Sequence, residues 1–531
     1  MTKTDKLKLE YRIVDDIKDK FPNLISIIGL LMDRVENSYV SVEAEVKKAI
    51  LEALRKKNMS TGILERILKN LVIITNVKEE EFFTHEGWIV PFQNGYYDII
   101  NKKFIQYHEK NFFYEIPHKY NENFKGDCTI FKAMLKKYLA EQHDVNLCNV
   151  DDIFEIMGYC MIMNVNLKKA VYIFGPPHTG KTTFQTILLH LLGDKNTANI
   201  LLSRMSRDQF GTDGLQLKIL NTVGETENNI LKDLSYIKSI AGGDKFIAVE
   251  IKGVSKSKGG QARFVNFVKL FFLGNKLPQL LDKDDQAFYD RWIIINFAHP
   301  FEVRREKHSD FIINDPFEVQ GIIHECIKGL KILFERGNFR PELIQNNRHI
   351  WNYNTDNFYR FIHDKCVIDW EGSIINKSLY RSYIRYVVNN KLGKLLSEKA
   401  LTAELKKYKI FLESHYEKDK RIFTYEGIRL KDKKEIKKEQ KEVKKMEKVI
   451  EKELKVEYDY EADFDRYEEE ARAAYYDEPQ EPKYTGPEPS KPDYPDEPQD
   501  YDPNFDEPQD FKYTEADRPH NPDEDNEPRE E

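Results

Sequence analysis

Cysteine is scarce in this sequence and never occurs as a close pair. Five cysteines are scattered along 531 residues without a CxxC motif, at positions Cys128, Cys148, Cys160, Cys326 and Cys366. Such spacing favours neither a disulfide framework nor a cysteine-based zinc site. We therefore expect a protein of a reducing compartment inside the cell.

Long hydrophobic runs are also missing. The longest apolar run near the N-terminus, Leu24–Met32, has nine residues and is flanked by charged residues on both sides. It is too short to span a bilayer and too far from the N-terminus for a signal peptide. We expect a soluble intracellular protein without a membrane partner.

Charge is unevenly distributed. The chain has a net charge of −8, but residues 471–531 contain 20 acidic and 6 basic residues, 12 of the 21 prolines and three copies of DEPQ. This composition predicts a disordered acidic tail, which is either a solubiliser or a docking segment for other proteins through its aromatic residues. The remaining chain has a net charge of +6 and is compatible with a polyanionic partner.

One glycine-framed stretch indicates nucleotide chemistry. Residues Gly175–Thr182, GPPHTGKT, match GxxxxGK[ST], follow the apolar run Ala170–Phe174 and precede a segment with helical periodicity. Backbone N–H groups of such a loop bind phosphate, the lysine reaches the terminal phosphates, and the threonine hydroxyl binds Mg²⁺. The predicted ATP-binding residues are Gly175, Pro176, Pro177, His178, Thr179, Gly180, Lys181, Thr182 and Thr183.

Polar residues near later apolar strands complete a candidate catalytic set. The run Leu217–Glu227 contains a predicted strand that ends in Glu225. We expect Glu225 to complete the metal shell with Thr182, and Glu227, two residues later, is an auxiliary candidate. Asn275 follows the run Val268–Asn275 and is a candidate for orienting the attacking water (sensor 1), although asparagine is also an ordinary turn residue. Arg291 precedes another strand and is either an arginine finger for a neighbouring subunit or a surface partner of Asp290.

A basic segment lies between the acid and the amide. After Glu250 the chain has no acidic residue until well past Lys269. Two apolar segments flank GVSKSKGG, which predicts a β-hairpin with a cationic tip. Such a tip suits contacts with the phosphates of a nucleic-acid strand, the alternative being a solvated basic loop. The predicted DNA-binding residues are Lys252, Lys256, Lys258 and Arg263.

The periodicity of the whole chain suggests several domains. We predict a helical region over 1–165 that contains β-hairpins at about 87–120, an α/β core with a largely parallel sheet over 166–300, a helical connection over 301–352, a winged-helix-like unit over 353–430, a charged helix over 431–470 and the disordered tail over 471–531. Within the winged-helix-like unit we predict helices over Phe358–Trp370 and Ser378–Asn390, a third helix capped by Ser397, and a hairpin over Arg421–Leu430.

The motifs together resemble superfamily 3 helicases of the phage, plasmid and poxvirus primase–helicase type. The resemblance covers roughly residues 10–430 and is most specific in IKSIAGGDKF (Ile237–Phe246) and in FFLGNKLPQ with DRWIIINF, up to Phe297. It implies an α/β fold with an AAA+-like P-loop ATPase core, a homohexameric ring that binds ATP between subunits, and a channel in which Lys256 and Lys258 contact single-stranded DNA. Because the helicase-like part begins almost at once, we expect no N-terminal primase domain and no primer synthesis.

The sequence therefore predicts an ATP-dependent replicative DNA helicase of a virus or plasmid, acting on single-stranded or forked DNA. We expect it in the host cytoplasm, where its acidic tail could bind other replication proteins. Two alternatives remain open at this point. One is an AAA+ initiator or loader that binds origin DNA without processive unwinding, and the other is an RNA-directed viral NTPase.

Overall fold

A computed structural model describes residues 3–441 apart from 28–29, 36–37, 58, 79–81, 83–86, 107–111, 140–147, 207–213, 225–229, 250–261, 301–307, 418–419 and 439–440. The α-helices are α1 Lys3–Lys20, α2 Glu43–Lys56, α3 Leu64–Ile74, α4 Thr129–Tyr138, α5 Val150–Cys160, α6 Lys181–Leu192, α7 Leu202–Met205, α8 Ser235–Ala241, α9 Gln286–Tyr289, α10 His308–Ile313, α11 Pro316–Arg336, α12 Pro341–Ile344, α13 Asn347–Thr355, α14 Asn357–Lys365, α15 Asn376–Asn389 and α16 Glu398–Lys407. The strands are β1 Ile25–Ile27, β2 Leu30–Val35, β3 Ser38–Ser41, β4 Ile89–Phe92, β5 Gly95–Asp98, β6 Lys103–Ile105, β7 Ala170–Phe174, β8 Thr197–Ala198, β9 Leu220–Val223, β10 Phe246–Val249, β11 Ala262–Val265, β12 Lys269–Gly274, β13 Trp292–Asn296, β14 Cys366–Ile375, β15 Phe411–Glu417 and β16 Lys420–Leu430.

The N-terminal segment has its own small core. Helices α1, α2 and α3 bury apolar residues such as Ile13, Ile50 and Leu71 against one another. The expectation of helices alone is wrong here, because β1, β2 and β3 form an antiparallel sheet. The apolar run Leu24–Met32 supplies two of these strands, which pair with each other in register.

Strands β4, β5 and β6 form an antiparallel meander within the region in which β-hairpins are predicted. This meander shares one core with α4, α5, α11 and one face of the central sheet. Helices α5 and α11 can approach closely because Gly158 has no side chain: a Cβ there would lie 2.6 Å from the Cys326 carbonyl oxygen. Arg340 also donates hydrogen bonds of 2.6 and 2.5 Å to the buried carboxylate of Asp152 on α5.

The central sheet has five strands in the order β13-β7-β12-β9-β8, and every neighbouring pair is parallel. The chain is thus a mixed α/β protein, and the predicted parallel sheet is confirmed. Alternate residues of the strands face opposite sides: Ile173 packs in the core that contains α6, whereas Tyr172 packs with α8 and α13. Because helices cover both faces, the central strands β7, β12 and β13 are apolar over most of their length, as is typical of buried parallel strands.

Strand order also fixes where a ligand fits. The connection after β7 leads to β8 on one side of the sheet, and the connection after β12 leads to β13 on the other side. In open α/β sheets, ligands bind outside the carboxyl ends of strands where the connections diverge in this way. The crevice between the ends of β7 and β12 is that position.

Residues 357–430 form a separate small core from α14, α15, α16 and a three-stranded sheet in the order β14-β16-β15. The Ser397 cap is confirmed, since its hydroxyl accepts a hydrogen bond from the Ala400 N–H at 3.2 Å. Two predictions are wrong. Residues Cys366–Ile375 form a strand and not the end of a helix, and Arg421–Leu430 is one side of a hairpin whose other side is β15.

Residues 433–438 are helical, which falls within the predicted charged helix, whereas most of that helix and the acidic tail lie outside the described residues. Among the described helices, none combines the length and the apolar character needed to cross a membrane.

Candidate functional site

The glycine-framed loop connects the end of β7 to the start of α6. Its two glycines are required by space. A Cβ on Gly175 would lie 2.0 Å from the Phe297 carbonyl oxygen, and one on Gly180 would lie 2.2 Å from the Tyr138 ring. Gly180 also has φ +82°, a backbone conformation that residues with a Cβ rarely adopt. The loop conformation therefore depends on glycine at both ends.

Lys181 lies at the first position of α6 and points back into the loop. Its ammonium group donates to the carbonyl oxygens of Gly175 at 2.8 Å and Pro176 at 2.6 Å, and to the Thr179 hydroxyl at 3.1 Å. The residue before α6 is Gly180, which has no side chain that could accept hydrogen bonds from the N–H groups of the first helical turn. A lysine charge and the N-terminus of a 12-residue helix lie together, as an anion site requires.

The other predicted nucleotide-binding residues lie on the outer side of this loop. Pro176, Pro177, His178 and Thr182 are exposed, Thr183 is half-buried, and Thr179 is buried with its hydroxyl donating to the Pro176 carbonyl oxygen at 3.0 Å. Thr182 is therefore accessible to a ligand at the start of α6.

Asn275 lies at the same edge of the sheet as the loop. Gly274, the last residue of β12, pairs with Phe174, the last residue of β7, so Asn275 and Gly175 follow at the same level. Asn275 is exposed, and the turn that contains it is held by the Tyr172 hydroxyl, which donates to the Lys276 carbonyl oxygen at 3.0 Å. The structure thus brings the predicted amide beside the predicted phosphate loop.

Strand β9 also ends at this edge. Gln185, one turn after Lys181 on α6, donates to the Thr222 hydroxyl at 3.2 Å, and a Cβ on Gly224 would lie 2.4 Å from the Gln185 side-chain oxygen. The next residue, Glu225, and the auxiliary candidate Glu227 lie outside the described residues. Gln185 is not among the site residues predicted from the sequence. Its position four residues after Lys181 on a helix would have placed it on the same helix face as that lysine.

Arg291 lies at the opposite edge. Its carbonyl oxygen accepts from the Ala170 N–H at 2.6 Å, so Arg291 precedes β13 at the level where β7 begins. Five residues of parallel strand separate that level from Gly175, a distance of about 17 Å. The guanidinium is half-buried and donates to the carbonyl oxygens of Lys238, at 3.0 Å, and Ala287, and not to the Asp290 carboxylate. Arg291 is therefore remote from the loop of its own chain.

The predicted hairpin also emerges at this opposite edge. Strands β10 and β11 pair antiparallel, and β11 ends four residues before Lys269, where β12 begins. Arg263 is exposed, and its guanidinium carbon lies 3.9 Å from the centroid of the Phe246 ring. Lys252, Lys256 and Lys258 lie outside the described residues.

Lys269 differs from its basic neighbours. Its side chain is buried, with the ammonium group donating to the carbonyl oxygens of Ile162 and, at 3.2 Å, Phe267. Burial lowers the pKa of Lys269 to about 7. This lysine is a structural group of the sheet and is not available to a strand of nucleic acid.

A family model described as a family of unknown function (DUF5906) matches residues 173–291, from within β7 to Arg291. No curated protein matches the chain.

Among solved structures, an A-form apo structure of the NrS-1 C-terminal region is 12% identical, with a TM-score of 0.37, over 76% of this chain and 95% of that one. An apo structure of the same region, residues 305–718 of that protein, is 14% identical, with a TM-score of 0.35, over the same shares of the two chains. Likenesses of this size do not define an activity, so the function must be argued from the site itself.

Proposed function

We propose that this protein is an ATP-dependent DNA helicase that acts in the replication of a virus or plasmid. The observation on which the proposal depends is the separation of two groups of residues by the central sheet. The Lys181 loop and Asn275 lie at the carboxyl edge, whereas Arg291 and the base of the β10–β11 hairpin lie at the amino edge.

The carboxyl edge suits a triphosphate and Mg²⁺. The phosphates would fit the loop between Gly175 and Gly180, where neither glycine has room for a Cβ. The Lys181 charge and a helix N-terminus without a side-chain cap lie beside that loop. The Thr182 hydroxyl and the predicted carboxylate of Glu225 would hold Mg²⁺, which neutralises phosphate charge when bound. Asn275 would orient the attacking water from the neighbouring strand end.

The amino edge suits a neighbouring subunit. Arg291 cannot reach the nucleotide of its own chain, because about 17 Å of strand lies between them. A head-to-tail contact between copies would bring the amino edge of one chain to the carboxyl edge of the next. Heterologous contacts of this kind generate a ring when the rotation between successive copies closes. We propose a hexameric ring in which Arg291 contacts the γ-phosphate bound by its neighbour.

The β10–β11 hairpin would contact the DNA strand. The hairpin directly precedes β12 in the chain, and Asn275 directly follows β12. A shift of β12 relative to its neighbours would therefore move the hairpin and Asn275 together. Arg263 at its base and the lysines predicted for its tip provide cations for a single strand of DNA. Such a motor would work inside the cell in which the virus or plasmid replicates.

The test is ATP hydrolysis by the purified chain with and without single-stranded DNA, followed by separation of a forked duplex in the same sample. We expect DNA to stimulate hydrolysis, and we expect Lys181→Ala to abolish both activities. Lys195→Ala, an exposed lysine just beyond the other end of α6, is the matched control and should retain both. Hydrolysis by the unmodified chain that is indifferent to DNA would contradict the proposal.

A second candidate is an initiator or loader that binds origin DNA without unwinding it. The element order of residues 357–430, a helix, a strand, two helices and a hairpin, supports it, because three helices with a terminal hairpin are typical of a winged helix. Preference for one duplex sequence, together with no strand separation at any ATP concentration, would favour this candidate over the helicase.

A further inference from the structure

The β15–β16 hairpin projects beyond the small core of residues 357–430. Its residues alternate between two faces, and Tyr425 on one face is completely buried in that core. Further out on the same face, Phe423 is 41% exposed and Tyr416, which pairs with Arg421, is 74% exposed. The apolar face of the hairpin therefore continues into solvent as an aromatic surface.

A cleft runs along the open edge of β16. Strand β14 ends at Ile375, opposite Thr424, so residues 420–423 have β15 on one side and no described strand on the other. The space between this edge and the start of α15 has a volume of about 670 Å³ and is lined by Ile375, Lys377, Arg421 and Phe423, among others. Ligand sites commonly have this size.

The cations of this cleft are positioned and unpaired. Arg421 donates from two nitrogens to the Ser414 hydroxyl at 3.2 and 3.1 Å, and its guanidinium carbon lies 5.1 Å from the Phe423 ring centroid. Within the described part of the chain, no carboxylate forms an ion pair with Arg421, Lys377 or Lys420. Arg421 thus lies beside an exposed aromatic ring, and Lys377 adds a second positive charge to the same cleft.

The carboxylates of the hairpin lie elsewhere. Glu413 and Glu426 belong to the alternate set of residues, on the face opposite Arg421, and Glu426 accepts a hydrogen bond from the Ser373 hydroxyl at 3.0 Å. The aromatic face is therefore positively charged, whereas the opposite face is mixed. This asymmetry favours an anionic ligand with flat apolar groups.

We propose that this cleft binds single-stranded nucleic acid, with a base stacked on Phe423 and the flanking phosphates bound by Arg421 and Lys377. Unpaired bases stack on aromatic side chains and cations follow the backbone, which is the combination found here. A duplex would present phosphates but no free base face to Phe423. The inference adds a second DNA contact to the proposed function, and it depends on neither ATP hydrolysis nor ring assembly.

The test measures the affinity of the full chain for labelled oligo-deoxythymidine and for a duplex of equal length, without nucleotide. A Lys256→Ala/Lys258→Ala background removes the predicted contacts of the other hairpin. We expect Phe423→Ala and Phe423→Leu to weaken single-strand binding about tenfold and Phe423→Trp to preserve it, because stacking requires a π-face. Arg421→Ala should also lower the salt dependence, by about 0.7 in the slope of log affinity against log salt concentration.

The matched control is His415→Ala. His415 is exposed on the same hairpin but belongs to the opposite face, where it pairs with Ile422, and its replacement should leave binding unchanged. Equal affinities of Phe423→Ala, Phe423→Leu and the unmodified chain would overturn the proposal, as would equal losses for duplex and single strand. Binding of a peptide of residues 471–531 to the cleft, without binding of the oligonucleotide, would identify a peptide site and also overturn it. Failure of the Lys181→Ala test alone would leave this inference standing.

Discussion

The two edges of the central sheet differ in what they present to a ligand. The carboxyl edge holds a loop in which both glycines are sterically required and a lysine ammonium bonded to the loop's own carbonyl groups. The amino edge holds an arginine bonded to carbonyl groups of α8 and α9 and the base of a basic hairpin. One edge is built around a fixed backbone shape, and the other presents charged side chains.

This difference indicates how one chain could couple two ligands. Arg291 lies at the edge opposite the Lys181 loop and donates to carbonyl groups of its own chain. In the proposed ring, the Arg291 of one copy would complete the nucleotide site of its neighbour. The parallel strands between the edges are buried on both faces and are stiff enough to transmit a small shift.

The largest expected effect comes from adding a single methyl group at the carboxyl edge. Gly180→Ala places a Cβ against the Tyr138 ring at φ +82°, so we expect near-complete loss of nucleotide binding and hydrolysis. Gly337→Ala is the matched control, because Gly337 has φ +76° with nothing within 4 Å of the added carbon. It should cost about 1 kcal/mol of stability and leave hydrolysis unchanged. Equal hydrolysis by the two variants would mean that the loop does not bind the nucleotide.

Mixing two inactive variants tests whether the edges meet between copies. We expect Lys181→Ala and Arg291→Ala each to abolish hydrolysis, whereas an equal mixture should recover activity. In a ring assembled at random, about a quarter of the interfaces would combine an intact loop with an intact arginine. The measurement is steady-state ATP hydrolysis against the fraction of each variant. A mixture as inactive as its components would place the arginine outside the active site.

The parts of the candidate site that lie in one local stretch could be predicted from sequence. The phosphate loop and the β10–β11 pair each depend on short-range patterns, namely fixed glycine spacing and two apolar segments around a polar tip. The sequence could not predict that Asn275 and Gly175 lie side by side, because their positions depend on the register of β12 against β7. Register between distant strands is a tertiary property.

The errors have the same origin. The apolar spacing of Phe358, Phe361 and Ile362 fits a helix, and nothing local indicates that the chain changes to a strand at Cys366. That strand exists because it pairs with β16, which lies more than 50 residues later in the chain. Likewise, sequence alone does not reveal that the side chain of Lys269 is covered by Tyr159 and by the carbonyl group of Ile162.

A smaller effect is expected at the end of β12. Asn275→Ala should lower kcat about a hundredfold while nucleotide affinity is retained, since an amide that orients the attacking water acts in the transition state. Gln279→Ala is the matched control, because Gln279 is an exposed amide in the chain that follows β12. Loss of nucleotide affinity without a change in kcat would make Asn275 a binding residue and would contradict its proposed role.

The smallest effect concerns stability at the amino edge and separates buried charge from functional charge. The pKa of Lys269 is about 7 in the folded chain, below its ordinary value near 10.5, because burial disfavours the ammonium form. Between these two values the unfolded chain binds more protons than the folded chain, so the free energy of unfolding should rise with pH. In Lys269→Met this rise should be smaller by at most about 1.4 kcal/mol per pH unit, with hydrolysis retained. Denaturant unfolding from pH 7 to 9 measures the slope, and an unchanged slope would mean that Lys269 stays charged in the folded protein.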